Sequence, residues 1–422
     1  MFKNINCKNL PSLRRNIVYQ FLYELLIVFI PLFTIPYVSR VLGAENIGLF
    51  SYTYAVANYF VLFANLGIKN YGSRTIAMVR NNKEELNRNF SEILSIHIIF
   101  SIIVIFVYLV LLFFFVEDNL VIFLIQSIYV FAAVFDINWF FFGIEKFKLT
   151  VGRNTLVKIL SVFLVLVFVK TQTDLWIYAL ILALSVFVGQ SVVWFALKQY
   201  VSWRRPSWAN MKQHIRPLFV LFLPILALSL YKYMDKIMLG SISSNVQVGF
   251  YENAEKIINV PMSLIMAFGV VLMPRIANMV TSKDKGEVFK LIDMSMEAVM
   301  LLAIAISFGL AGISFVLAPI FFGYEFEECG ILIMGLAVTV PFMAFANVIR
   351  TQYLIPYKED KIFVVSLFLG AAVNLIVNII LIPYMAARGA VIGTIFAEII
   401  VCIYQSLSLI HISEPTRRSY IS

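Results

Sequence analysis

Chemistry in this sequence is concentrated in a few ionisable residues that interrupt long apolar runs. The densest group is Lys232, Asp235 and Lys236, followed by Glu252, Glu255 and Lys256. Separations of three and four residues return to one face of a helix, so each trio forms a charged stripe. Lysines placed this way attract an anionic substrate group, while a carboxylate among them takes up a proton or Na+. The competing reading is an interhelical ion-pair cluster that holds two helices together. Glu24 is a lone carboxylate on a face with Gln20, close to Pro31 and Pro36, and is a further candidate coupling-ion group. Arg40, Lys69, Arg74 and Arg275 stand at the ends of apolar runs, where they either meet an anionic group or anchor a helix at the interface. Asp136, Asn138 and Trp139 read as helix-end anchors, and His97 as a packed core residue. Glu398 is solitary in the last apolar run.

The elements that must position these residues follow from composition. With 61% hydrophobic and 14% charged residues, the chain is too apolar for a soluble domain of its length and reads as an integral membrane protein. The formal charge of +9 would suit nucleic acid only if the basic residues shared one soluble face, but they lie in short loops between apolar runs. Twelve runs of spanning length occur between residues 17 and 405. The N-terminal tail and the loops after even-numbered runs hold 25 of the 33 Lys and Arg, while the alternate loops hold only Arg40, Lys170 and Arg388. By the positive-inside rule both termini are cytoplasmic. Met1–Asn16 is polar and basic and precedes a long apolar run, so no cleavable signal peptide is expected. Cys7, Cys329 and Cys402 offer no disulfide framework and no zinc spacing.

An internal repeat divides the chain. Gly48-Leu-Phe-Ser-Tyr leads to Arg74-Thr-Ile-Ala-Met-Val, and Gly249-Phe-Tyr-Glu-Asn leads to Arg275-Ile-Ala-Asn-Met-Val, with 26 residues from Gly to Arg in both copies. Such a repeat in an apolar chain is a mark of secondary transporters. The expected fold is all-α, with about twelve transmembrane helices in two pseudo-symmetric six-helix bundles, 1–197 and 217–405. A basic cytoplasmic linker, 198–216, joins them. Residues 406–422 read as the translation of a sequencing adapter rather than native sequence, which places the natural continuation beyond Gln405.

The chain resembles the Wzx-type flippases of polysaccharide repeat units, which belong to the multidrug/oligosaccharidyl-lipid/polysaccharide superfamily. The resemblance rests on Pro36-Tyr-Val-Ser-Arg-Val-Leu-Gly-Ala-Glu-Asn-Ile-Gly-Leu-Phe-Ser-Tyr and on Leu66-Gly-Ile-Lys-Asn-Tyr-Gly-Ser-Arg. It continues through Phe135-Asp-Ile-Asn-Trp-Phe-Phe-Phe-Gly-Ile-Glu-Lys and Asp235-Lys-Ile-Met-Leu-Gly into Val248-Gly-Phe-Tyr-Glu-Asn-Ala-Glu-Lys. It implies transfer of an undecaprenyl-diphosphate-linked oligosaccharide from the inner to the outer leaflet of the bacterial plasma membrane. It also implies a cavity lined by the first two runs of each half. Lys232, Lys236, Lys256, Arg40, Lys69, Arg74 and Arg275 are then the candidate substrate-binding cations. Glu24, Asp235, Glu252 and Glu255 are the candidate ion-coupling carboxylates.

No enzyme, cofactor or metal site is expected, only H+ or Na+ as coupling ion. The sequence has no G-x-x-x-x-G-K-[ST] loop to cradle ATP. Expected partners are the lipid-linked oligosaccharide, the bilayer and the polysaccharide polymerase machinery, with no nucleic acid, and a monomer suffices. A drug/cation antiporter of the same superfamily is the first alternative. A membrane polymerase or glycosyltransferase is remote, because the outer loops are too short for a catalytic domain.

Overall fold

Long runs of Leu, Ile, Val and Phe in hydrocarbon must satisfy their backbone groups within the segment, which favours helices. The computed structural model describes the backbone of residues 10–281 and 285–418. It describes side chains over 30–409, apart from 31, 147, 148, 231, 270, 271, 274 and 281–285. Among the described residues the chain is all-α, without strands. The helices are α1 (Leu10–Asn65), α2 (Ile68–Val79), α3 (Lys83–Phe115), α4 (Leu120–Val134), α5 (Asn138–Gly143), α6 (Phe147–Phe168) and α7 (Leu175–Leu197). They continue with α8 (Trp208–Ile242), α9 (Asn245–Thr281), α10 (Lys285–Phe322), α11 (Cys329–Ala337), α12 (Thr339–Val348), α13 (Asp360–Met385) and α14 (Ala387–Arg418). A π-helical turn, Ile349–Leu354, follows α12.

Ten segments of the described residues are long and apolar enough to cross a membrane. The difference from twelve lies in two places. Most of the first expected run, 17–38, lies outside the residues whose side chains are described, and the segment Leu32–Val79 joins its end to the second run across a kink in α1 where Gly43 departs from helical geometry. Helix α9, 37 residues long, is not among the ten and carries Glu252, Glu255 and Lys256 in its first third. The chain is a multi-pass membrane protein. Phe106 and Phe113 of α3 and Leu301 and Phe308 of α10 are exposed, as lipid-facing side chains should be.

The chain forms two compact units. Unit 1 comprises Met1–Leu42 and Thr53–Leu226, and unit 2 comprises Gly43–Tyr52 and Ala227–Ser422. The core of unit 1 joins α2, α3, α5 and the start of α8, with Phe90 stacked on Trp139 and edge-on to Phe140, and with Leu218 and Phe222 buried beside them. Helix α3 starts cleanly because the Asn82 side chain accepts hydrogen bonds from the backbone N–H groups of Glu84 and Glu85, at 3.1 and 3.3 Å.

In unit 2 the two repeat glycines meet. A Cβ on Gly48 would lie 1.6 Å from the carbonyl oxygen of Asn245, and one on Gly249 would lie 2.1 Å from that of Ala44. Only glycine permits this backbone-to-backbone crossing of α1 and α9. The Ala44 N–H donates to Glu325 Oε1 at 2.8 Å on the same segment. Gly48→Ala is therefore expected to force the helices apart and cost about 1–3 kcal/mol. Gly309→Ala, whose Cβ meets nothing within 4 Å, should match or exceed wild-type stability. Thermal unfolding of the detergent-solubilised protein checks both, and equal midpoints for wild type and Gly48→Ala would contradict the crossing.

Candidate functional site

The part of helix α8 that belongs to unit 2 carries Asp235 and Lys236 side by side, but a residue turns about 100° from its neighbour on a helix. The two side chains therefore enter different surroundings. Asp235 is buried and reaches α9, α13 and α14. Its Oδ2 accepts from the Tyr251 hydroxyl at 2.5 Å and lies 2.9 Å from the Thr394 hydroxyl. Its Oδ1 accepts from the Asn378 amide at 2.6 Å, and that amide also donates to Asn374 Oδ1 at 3.0 Å. The Oδ1 of Asn378 is buried without a hydrogen-bond partner among the described residues. Among the described residues, the hydrogen-bond partners of Asp235 are all neutral. A carboxylate held only by dipoles, next to an unused oxygen, is chemically suited to take up a proton or a small hard cation.

Lys236 points instead towards α9. Its ammonium lies 2.5 Å from Glu252 Oε2 and 2.8 Å from Glu255 Oε2, and Lys256 lies 3.0 Å from Glu252 Oε1. Two lysines and two glutamates thus form one cluster of zero formal charge, with Lys236 the least exposed at 10% of its side chain. Lys232 falls outside it: the side chain is exposed and its ammonium sits 5.3 Å from the Tyr233 ring centre. Arg275, towards the end of α9, is exposed.

In unit 1, Arg40, Lys69 and Arg74 are exposed. Glu24 lies in α1, outside the residues whose side chains are described. Asp136 Oδ1 accepts from the backbone and side-chain nitrogens of Asn138 at 3.0 and 2.7 Å, and Arg153 donates to Asn138 Oδ1 at 3.1 Å, which makes this group a helix-start anchor for α5. His97 is fully buried, with neither ring nitrogen partnered among the described residues.

Several conspicuous polar groups were not singled out from sequence. Tyr251, Asn374, Asn378 and Thr394 are neutral and scattered over about 140 residues, as the 143-residue gap between Asp235 and Asn378 shows. Glu92 of α3 is buried in unit 1 and accepts from His214 Nε2 and from Asn210 Nδ2, both at 3.0 Å. The other His214 nitrogen lies 2.6 Å from the Tyr71 hydroxyl. The only sequence signal for this group is an acid within an apolar helix and a histidine in a stretch expected to be linker but folded as the start of α8.

A buried ion cluster is costly to break from one side. Lys236→Met leaves Glu252 and Glu255 without their shared ammonium, and a loss of about 3–5 kcal/mol is expected. Adding Glu252→Gln and Glu255→Gln should recover a measurable part. Unfolding of the solubilised variants reads this directly, and Lys236→Met at wild-type stability would contradict the pairing.

Comparison with known proteins places this geometry in context. A family model described as "Polysaccharide biosynthesis protein" matches residues 13–280. A protein of Shigella dysenteriae named "Putative O-antigen transporter" is 24% identical over 407 residues, covering 93% of this chain and 98% of its own length. A protein of the same name from Escherichia coli K12 is 26% identical over 411 residues, covering 96% and 97%. The solved structure of the lipid II flippase MurJ in an inward closed conformation superposes with a TM-score of 0.73 at 15% identity, covering 93% of this chain and 87% of that one.

Proposed function

This chain belongs to the polysaccharide biosynthesis protein family, bearing out the resemblance carried by its motifs, and from that membership we propose that it moves undecaprenyl-diphosphate-linked polysaccharide repeat units across the bacterial plasma membrane. Transfer runs from the inner to the outer leaflet by alternating access, coupled to a proton or Na+ gradient. The observation that carries this reading is similarity over 93–96% of the chain to two proteins named as O-antigen transporters. The fold shared with a lipid II flippase supports it at the level of architecture. The positive-inside rule orients both termini to the cytoplasm.

Within this reading, Asp235 is the group best suited to the coupling ion. A proton neutralises its carboxylate, or a cation is held by that carboxylate with the Thr394 hydroxyl and the unpartnered Asn378 oxygen. Either event changes the charge at the junction of α8, α9, α13 and α14, and so changes which helix packing is favoured. The Lys236 cluster, being neutral as a whole, then serves as the fixed joint between α8 and α9. Glu24 remains a second candidate for ion coupling. The polymerase machinery is the expected recipient of the product.

Expression in a strain lacking its own repeat-unit flippase, supplied with the native repeat unit, tests the reading. Restored surface polymer and loss of the accumulated lipid-linked intermediate are expected, and persistence of the intermediate with the protein inserted would contradict it. Asp235→Asn should lower export at least tenfold and abolish its response to collapse of the ion gradient. An unchanged gradient response would remove Asp235 from the coupling role.

A further inference from the structure

Unit 1 contains a groove of about 650 Å³ between the second half of α2, the early part of α3 and the start of α8. Two exposed arginines line it, Arg74 of α2 and Arg216 of α8, together with Tyr71 and the buried His214, and no carboxylate is among the lining residues. Neither arginine has an ion-pair partner among the described residues. This is the reverse of unit 2, where the buried lysines are neutralised by glutamates. Two uncompensated guanidiniums facing one hollow form a site for an anion with several oxygens, because the planar fork donates paired hydrogen bonds to phosphate.

The remaining lining gives the ligand its shape. Val220 and Met78 line the same groove and are well exposed, so an apolar shoulder adjoins the two arginines. The volume falls within the range of small-molecule sites, about 300–1,000 Å³. That is room for a diphosphate and the first group attached to it.

The walls are also held at fixed spacing. Glu92, His214 and Tyr71 form a hydrogen-bonded chain from α3 through α8 to α2, and since Tyr71 and His214 are themselves lining residues, this chain ties the walls of the groove together. Gly67, before α2, lies so close to α8 that a Cβ there would be 2.8 Å from the Leu218 carbonyl oxygen. A preformed cationic pocket loses less on binding than one that must be assembled.

We infer that this groove binds a phosphate-bearing head group, Arg74 and Arg216 each donating to phosphate oxygens and the apolar shoulder receiving the adjoining hydrocarbon. The assignment of that phosphate to a lipid-linked sugar rests on the function proposed above. The phosphate chemistry itself rests on the groove. In the orientation proposed there, both arginines are at the cytoplasmic end of the chain's helices, where substrate is loaded.

Binding to the purified full-length protein in nanodiscs, at fixed ionic strength, tests this with three probes: farnesyl diphosphate, inorganic pyrophosphate and farnesol. Farnesyl diphosphate is expected to bind, and the double variant Arg74→Gln/Arg216→Gln to weaken it at least tenfold. Arg74→Lys/Arg216→Lys should fall between, while Lys290→Gln, a basic position outside the groove, leaves binding unchanged. Farnesyl diphosphate binding at least tenfold tighter than pyrophosphate assigns the site to a lipid head group. Equal binding of the two assigns it to phosphate alone. Wild-type affinity in the double glutamine variant, or farnesol competing as well as farnesyl diphosphate, would overturn the site. Arginine-dependent binding combined with failed complementation would leave the site standing and remove the flippase reading. Successful complementation with arginine-independent binding would do the opposite.

Discussion

The buried ionisable groups described in this protein are constrained by the cost of removing charge from water. A lone buried ion in a low-dielectric interior carries a penalty of several kcal/mol even after relaxation. Two different solutions appear on adjacent residues of one helix. Lys236 meets two carboxylates and joins a cluster whose charges cancel, whereas Asp235 is surrounded by hydroxyl and amide donors that carry no charge. The first arrangement is stable as it stands. The second has a charge that a proton or cation would cancel, which is the property a coupling site requires.

The same constraint separates the ion-paired lysines from the exposed arginines. Lysines that looked available in the sequence are committed to glutamates, so Lys236 and Lys256 serve the joint between α8 and α9 before they serve any ligand. Arg74 and Arg216 face a hollow with no acid in its lining. On the inference drawn from that groove, an anion entering there meets two guanidiniums without ion-pair partners among the described residues. The carboxylate of the network, Glu92, is not among the lining residues and accepts hydrogen bonds from His214 and Asn210.

The helical fold was legible because hydropathy and length act locally: apolar runs longer than a bilayer core have few alternatives. The repeat was also legible, and its first glycines proved to be the point where α1 and α9 cross. Three- and four-residue spacing on consecutive helices grouped Lys232, Asp235 and Lys236 with Glu252, Glu255 and Lys256, of which the structure joins Lys236, Glu252, Glu255 and Lys256 in one ion-paired cluster. What sequence could not separate was Asp235 from Lys236, since one residue of offset sends neighbours to opposite partners only once the packing is known. The Glu92–His214 pair spans 122 residues and the Asp235–Asn378 pair 143. In both, the sequence can mark the carboxylate but not its distant partner, and Tyr251, Asn378 and Thr394 are unremarkable residue types until a carboxylate is placed among them.

The measurement that bears most directly on the account is transbilayer movement of a lipid-linked oligosaccharide in proteoliposomes containing this protein alone. The fraction of oligosaccharide exposed to a lectin outside the vesicles is followed under an imposed proton or Na+ gradient. The account predicts that this fraction rises in response to one of the two gradients, above the level of protein-free vesicles. A fraction indistinguishable from protein-free vesicles under both gradients, with the native repeat unit as substrate, would contradict it.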